Sequence, residues 1–152
     1  MRAKLFLITL CLSSVLSAQA LPENLKGPIH LYAKKYNIPV YVMENLIIGE
    51  GMLYKKIAPN SNGTKDHGIM AYNDTTVIDI RKVNPKFDPY DTIQALDWGG
   101  RKLQERYKIF SNWYDTIGSW NMGVTGWKDY LKGTRELPAS TRRLLAIVFG
   151  KV

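Results

Sequence analysis

The carboxylate with the most unusual surroundings in this sequence is Glu50. It stands between Gly49 and Gly51 in the apolar stretch LIIGEGML, residues 46–53. A carboxylate in apolar surroundings is costly as an anion, so its pKa rises and it can hold a proton near neutral pH. The two glycines leave room for a ligand to approach it. Glu50 is therefore the first candidate for a general acid.

A second carboxylate, Asp66, follows sixteen residues later, in a segment rich in turn-forming residues. Two carboxylates in different environments adopt different protonation states at one pH, which suits cleavage of a glycosidic bond. Structural roles explain both residues as well. Asp66 is a common turn residue, and Glu50 could pair with a lysine such as Lys55. The residues alone leave these alternatives open.

The elements around Glu50 follow from the apolar pattern. Val42, Leu46 and Glu50 are four residues apart, so a helix over these residues would place Glu50 on its buried side. Glu44 would lie on another face of that helix. The turn-rich segment predicts a hairpin, with residues 66–72 as its second strand. The sequence therefore predicts a mainly α fold with a small β-hairpin. Further helices are predicted over residues 28–36, from Asp88 with Pro89 in the first turn, from Trp113, and after Pro138.

The first twenty residues have the pattern of a secretory signal peptide. Arg2 and Lys4 precede an apolar run over residues 5–12, and Ala18-Gln19-Ala20 follows as a cleavage site. A membrane anchor is the alternative, but the apolar run is too short to span a bilayer. We therefore expect a signal peptide over residues 1–20, a single domain over residues 21–152, and a periplasmic or secreted protein.

The composition of the remaining chain limits its partners and its chemistry. The only cysteine, Cys11, belongs to the signal peptide, so no disulfide framework is possible after cleavage. The net charge of +8 becomes +6 without Arg2 and Lys4, which favours anionic polymers such as cell-wall glycans, lipid headgroups or nucleic acid. The two histidines, His30 and His67, lie far apart and show no metal-ligand spacing, so we expect neither a metal nor a cofactor.

Four stretches carry a family resemblance. NSNGTKDHGIMAYN (60–73), DPYDTIQA (88–95), SWNMG (119–123) and LPASTR (137–142) resemble, in the same order, motifs of soluble-type lytic transglycosylases. The resemblance spans roughly residues 29–148 and is closest to the small members associated with secretion and conjugation. It implies a lysozyme-like fold with the hairpin beside the cleft, peptidoglycan strands as substrate, a secretion or conjugation apparatus as partner, and no nucleic acid. We expect a monomer.

The resemblance also implies roles for individual residues. Glu50 would be the single acid/base that cleaves the bond between N-acetylmuramic acid and N-acetylglucosamine, leaving a 1,6-anhydro ring. Among the aromatic residues, Tyr72, Trp120 and Trp127 are the best candidates for stacking on sugar rings. The substrate-binding residues assigned in this way are Gly68, Met70, Tyr72, Asn73, Trp120 and Asn121.

Three positions depart from the family pattern. Gly51 stands where serine is usual, Ala71 where glutamine is usual, and Leu144 where tyrosine is usual. Loss of three polar neighbours leaves Glu50 in a drier site. Two alternatives to a transglycosylase therefore stay open. One is a hydrolase that uses Glu50 with Asp66, and the other is a cell-wall-binding or assembly protein that has lost the chemistry.

Overall fold

A computed structural model describes residues 20–150 of the chain. The predicted signal peptide lies almost wholly outside these residues. The mainly helical architecture with a small sheet is confirmed, and none of the described helices is long and apolar enough to span a membrane. The elements are α1 (Glu23–Lys35), α2 (Val40–Glu50), β1 (Ile57–Pro59), β2 (Lys65–His67), β3 (Tyr72–Asn73), α3 (Asp74–Val83), α4 (Thr92–Phe110), α5 (Trp113–Leu131) and α6 (Ala139–Phe149).

Helix α2 lies at the centre of the fold and ends at Glu50. It packs against α1 and α6, and its buried residues are Val42, Met43, Leu46 and Ile47. The helix ends where it does because Gly51 adopts the left-handed conformation, with φ at 68°, which a residue without Cβ accepts at little cost. The prediction that the helix delivers Glu50 at its end is confirmed.

The predicted hairpin is a three-stranded antiparallel sheet in the order β1-β2-β3. Asp66 on β2 pairs with Ala58 on one side and with Asn73 on the other. The expectation of one strand over residues 66–72 is wrong. The chain reverses after His67, because both Gly68 and Ala71 adopt positive φ angles, 67° and 49°.

Two predicted helix boundaries also need correction. Helix α4 begins at Thr92, because Asp91 rather than Asp88 accepts the capping hydrogen bond, from the backbone N–H of Gln94 at 2.9 Å. Asp88 accepts instead from the N–H of Tyr90, in the turn before the helix. Helix α1 extends five residues ahead of the predicted start and contains Pro28. Proline there removes a single hydrogen bond near the helix start.

Gly68 is the glycine whose replacement the fold tolerates least. A Cβ atom there would lie 1.9 Å from the carbonyl oxygen of Pro89, and φ is already positive. We expect Gly68→Ala to lower the free energy of unfolding by at least about 2 kcal/mol. Gly63→Ala is the matched control, since Gly63 also has positive φ but no atom within 4 Å of its Cβ position. Thermal unfolding followed by circular dichroism measures both, and equal losses would contradict the proposed backbone clash.

Candidate active site

Glu50 lines a cavity of about 900 Å³. The walls come from the end of α2, from β2 and β3, and from α3, α4 and α5. The sheet and the helices thus meet around the carboxylate that the sequence singled out. The lining residues are Glu50, Asp66, Ala71, Tyr72, Asn73, Thr76, Asp79, Ile80, Val83, Trp98, Lys102, Glu105, Arg106, Ile109, Trp120, Asn121, Gly123 and Val124.

The Glu50 carboxyl is set up to hold a proton near neutral pH. Burial is the largest cause, and it raises the pKa of Glu50 from 4.5 to about 7, because the anion loses its hydration. The negative charge of Asp66 acts in the same direction, and a hydrogen bond from the Trp120 side chain acts in the opposite one. A carboxylic acid with such a pKa is half protonated at physiological pH, which suits a group that gives and then recovers a proton.

Asp66 is brought to the same cavity by the sheet. Its Oδ1 accepts hydrogen bonds from the Nδ2 atoms of Asn60, at 3.0 Å, and Asn73, at 3.5 Å. Two amide donors suit the ionised form of a carboxylate, which only accepts hydrogen bonds. The unequal pair expected from the sequence is therefore assembled, with Glu50 in the drier position and Asp66 in the more polar one.

Asn121 connects two motifs that are separate in the sequence. Its Oδ1 accepts hydrogen bonds from Thr141 Oγ1 at 2.7 Å and from Ser140 Oγ at 3.3 Å, in the first turn of α6. These bonds orient the amide, so that its N–H groups are available at the cavity wall. Trp120, beside it in sequence, also lines the cavity and contacts Glu50.

Tyr72 and Asn73 line the cavity, but their polar atoms are engaged within the fold. The Tyr72 hydroxyl donates to the carbonyl oxygen of Ala95 at 2.7 Å, and only 3% of the residue is exposed. Asn73 caps α3 by accepting from the N–H of Thr75, and it donates to Thr64 Oγ1 at 2.7 Å. Their contacts with a substrate stay predictions.

Three residues that the sequence assigned to ligand binding lie outside the cavity wall. Gly68 is buried against the Pro89 carbonyl, and Met70 is fully buried with its side chain against Gly99. Trp127, expected to stack on sugar, is a core residue with no exposed surface. The expected cleft-side placement of these residues is corrected, and Ala71 forms the wall near Met70 instead.

Sequence reasoning did not identify the wall that α4 contributes. Trp98, Lys102, Glu105, Arg106 and Ile109 all face the cavity from this helix. Their spacing of three to four residues marks one helix face. That periodicity is visible in the sequence, but it does not say whether this face meets solvent or a cavity.

The carboxylates of this site do not belong to a recognisable metal centre in the described part of the chain. Residues 20–150 contain no group of three or more histidine, cysteine, aspartate or glutamate side chains arranged to hold a metal ion. His67 lies between Asp74 Oδ1 and the Tyr90 hydroxyl, each at 2.7 Å, and so it anchors β2. Independence from a metal or cofactor stays a prediction.

A comparison with known protein families identifies the family of this chain. The family model of the transglycosylase SLT domain matches residues 27–142. The chain belongs to the transglycosylase SLT domain family. This family comprises lytic transglycosylases that act on peptidoglycan, and its domain is lysozyme-like. No curated protein and no solved structure gives a match.

The three departures from the pattern of this transglycosylase family have local explanations. Gly51 has a φ of 68° and ends α2, a conformation that strains serine. A Cβ on Gly49 would lie 2.5 Å from Leu144 Cδ1, so Leu144 packs directly against the residue before Glu50. Ala71 lines the cavity without a polar group. None of these three residues offers a polar side chain to Glu50.

The raised pKa of Glu50 predicts a pH-dependent cost to stability. Between pH 4.5 and 7 the folded transglycosylase binds the Glu50 proton more tightly than the unfolded chain, so the free energy of unfolding falls as pH rises. Glu50→Gln removes this cost. From pH 4 to pH 8 we expect the stability of the variant relative to wild type to increase by about 3 kcal/mol. Urea unfolding at both pH values measures it, and a pH-independent difference would contradict the raised pKa.

The contribution of Asp66 to this pKa can be isolated. Asp66→Asn removes the negative charge, so we expect the pKa of Glu50 to fall by a fraction of a pH unit. The measurement is the ¹³C chemical shift of the Glu50 carboxyl as a function of pH. Asp79→Asn is the control, because Asp79 also lines the cavity but is paired with Lys82. An equal shift in both variants would remove the specific role of Asp66.

Proposed function

We propose that this protein cleaves the β-1,4 bond between N-acetylmuramic acid and N-acetylglucosamine in peptidoglycan, with Glu50 as the single general acid and base. The observation that carries the proposal is a carboxyl with a pKa of about 7, facing a cavity of about 900 Å³ in a member of a lytic transglycosylase family. Its protonation near neutrality supports both halves of the reaction.

The proposed reaction has two proton transfers and consumes no water. Protonated Glu50 gives its proton to the glycosidic oxygen as the bond from muramic acid C1 to that oxygen breaks, which releases the 4-hydroxyl of N-acetylglucosamine. The Glu50 carboxylate then accepts the proton of the muramic acid 6-hydroxyl as its oxygen bonds to C1. The product is a 1,6-anhydro ring, and Glu50 is protonated again.

Other cavity residues supply binding and electrostatics. Asn121 is proposed to donate its amide N–H groups to the glycan, since its oxygen is held by Thr141. The Trp120 ring presents an apolar face of the kind on which sugar rings stack. The Asp66 carboxylate, held by two amides, stabilises positive charge at C1 through the field it exerts in the cavity.

The position of Asp66 also favours a second candidate, a lysozyme-type hydrolase. Asp66 and Glu50 line the same cavity, and the negative charge of Asp66 raises the pKa of Glu50. In a hydrolase Asp66 would stabilise the cationic sugar or bond to it, and water would complete the reaction. The two candidates differ by one water molecule in the product.

We further propose that the protein acts outside the cytoplasm as a monomer, in service of a secretion or conjugation apparatus. Support comes from the charged, apolar and small-residue regions of residues 1–20 and from the resemblance of residues 60–73 to members associated with such machinery. Mass spectrometry of the protein recovered from the periplasm or medium tests export. Cleavage after Ala20 is the expected result, and a chain that keeps residue 1 would contradict it.

Product analysis of digested peptidoglycan tests the proposed reaction. We expect mass spectrometry to show strands ending in 1,6-anhydro-muramic acid, and Glu50→Gln to reduce their release at least about 1,000-fold, since one group performs both proton transfers. Glu44→Gln is the matched control, because Glu44 lies on the same helix but pairs with His30 at 2.7 Å, outside the cavity wall. It should retain wild-type activity.

The other outcomes separate the alternatives. Reducing ends that are heavier by one water would establish the hydrolase and give Asp66 a direct role. Binding to the cell wall without any cleavage product would mark a protein that has lost the chemistry. Full activity of Glu50→Gln would show that Glu50 is not the acid.

A further inference from the structure

Arg106 is a half-buried cation in the cavity wall that the proposed reaction does not use. It lies on α4, and its guanidinium is stacked over the Trp120 ring, with the carbon Cζ 5.3 Å from the ring centroid. Trp120 lines the same cavity as Glu50 and lowers the pKa of that carboxyl. The cation thus stands one side chain away from the group that is proposed to cleave the glycan.

Within residues 20–150, Arg106 forms no ion pair. Its Nη1 donates to the carbonyl oxygen of Ser119, and no carboxylate lies within salt-bridge distance. The other charges on the α3 and α4 walls are compensated locally. Lys102 pairs with Glu105, and Asp79 pairs with Lys82 just outside the cavity, each at 2.7 Å.

An uncompensated, partly desolvated guanidinium is costly. Burial is the larger effect and lowers the pKa of Arg106, while the negative charge of Glu105, which is itself paired with Lys102, raises it by less. A guanidinium has five N–H donors in a planar fork that matches a carboxylate, and only one of them is used by a described group. The side chain therefore has the geometry and the capacity to bind a planar anion from the cavity.

We propose that Arg106 binds a carboxylate of the substrate and thereby selects glycan strands by their charge. This rests on the proposed function, because it places a peptidoglycan strand in the same cavity. Peptidoglycan offers such a group in two ways. A strand that has lost its stem peptides exposes the lactyl carboxylate of muramic acid, and an intact strand carries the carboxylates of its peptides.

An anionic ligand beside Arg106 would share the cavity with Glu50 and with the Asp66 carboxylate. The groups that shift the pKa of Glu50 are its burial, Asp66 and Trp120, and Arg106 is not among them. A protonated Glu50 is neutral and does not repel the carboxylate that Arg106 would hold.

The experiment compares three forms of one purified glycan as substrates. These are intact peptide-bearing strands, strands freed of peptides by an amidase, and the freed strands after carbodiimide coupling with ammonia, which converts carboxylates into amides. The readout is kcat/KM for the release of anhydro-muramic acid ends. We expect wild type to prefer carboxylate-bearing strands over amidated ones by about tenfold, the effect of one charge-assisted hydrogen-bonded pair.

The variants test whether Arg106 causes that preference. Arg106→Met should remove the preference while leaving cleavage of amidated strands near the wild-type rate, and Arg106→Lys should keep part of it. Arg101→Met is the matched control, because Arg101 lies on the same helix and is stacked on Trp98 at 4.9 Å, yet it pairs with Asp97 and lies outside the cavity wall. It should keep the full preference. Thermal unfolding checks that each variant is folded.

Each outcome has a definite meaning. If Arg106→Met loses the preference for amidase-treated strands over amidated ones, the site binds the lactyl carboxylate. If it loses only the preference for intact strands over amidated ones, the site binds a carboxylate of the stem peptide. An equal fall in the kcat/KM of Arg106→Met on all three substrates would overturn the proposal. It would show that Arg106 only positions Trp120. The absence of anhydro products from wild type on every substrate would instead contradict the proposed function.

Discussion

The desolvation of one carboxyl group is the constraint on which the rest of this structure depends. Glu50 ends α2 and lines a cavity whose other walls come from the sheet and from α3, α4 and α5. Burial there raises its pKa to about 7 at a cost to stability above neutral pH. Gly51 adopts the left-handed conformation and ends the helix directly after Glu50, and the Glu50 side chain lines the cavity.

Helix α6 links the hydrophobic and the polar sides of the site. Leu144 packs against Gly49 and keeps the end of α2 dry. One turn earlier, Thr141 fixes the oxygen of Asn121. A single short helix therefore both packs against the residue before Glu50 and orients the Asn121 amide. This explains how an apolar residue at position 144 is compatible with an ordered site.

The sheet has the complementary role of holding charge near Glu50. Asp66 would lose much of its effect if β2 could move, since electrostatic interactions weaken with distance. The strand is fixed on both sides by pairing and by His67, which bridges Asp74 on α3 and Tyr90 ahead of α4. The strand that carries Asp66 is thus attached through His67 to α3 and to the segment ahead of α4.

The sequence by itself singled out Glu50, the helix that ends at it and the family. The four-residue spacing from Val42 to Glu50 and the flanking glycines are local features, and helical periodicity is sufficient to interpret them. The order of the four motifs was likewise sufficient for the family resemblance, which the family match over residues 27–142 confirms.

Only the tertiary structure decided which side chains share the cavity. Trp127 was a candidate for stacking on sugar in the sequence, as Trp120 was, but it is wholly buried. Arg106 was one basic residue among many until packing of α4 against α5 placed it over Trp120. Burial and pairing depend on contacts between elements distant in sequence, and local patterns do not specify those contacts.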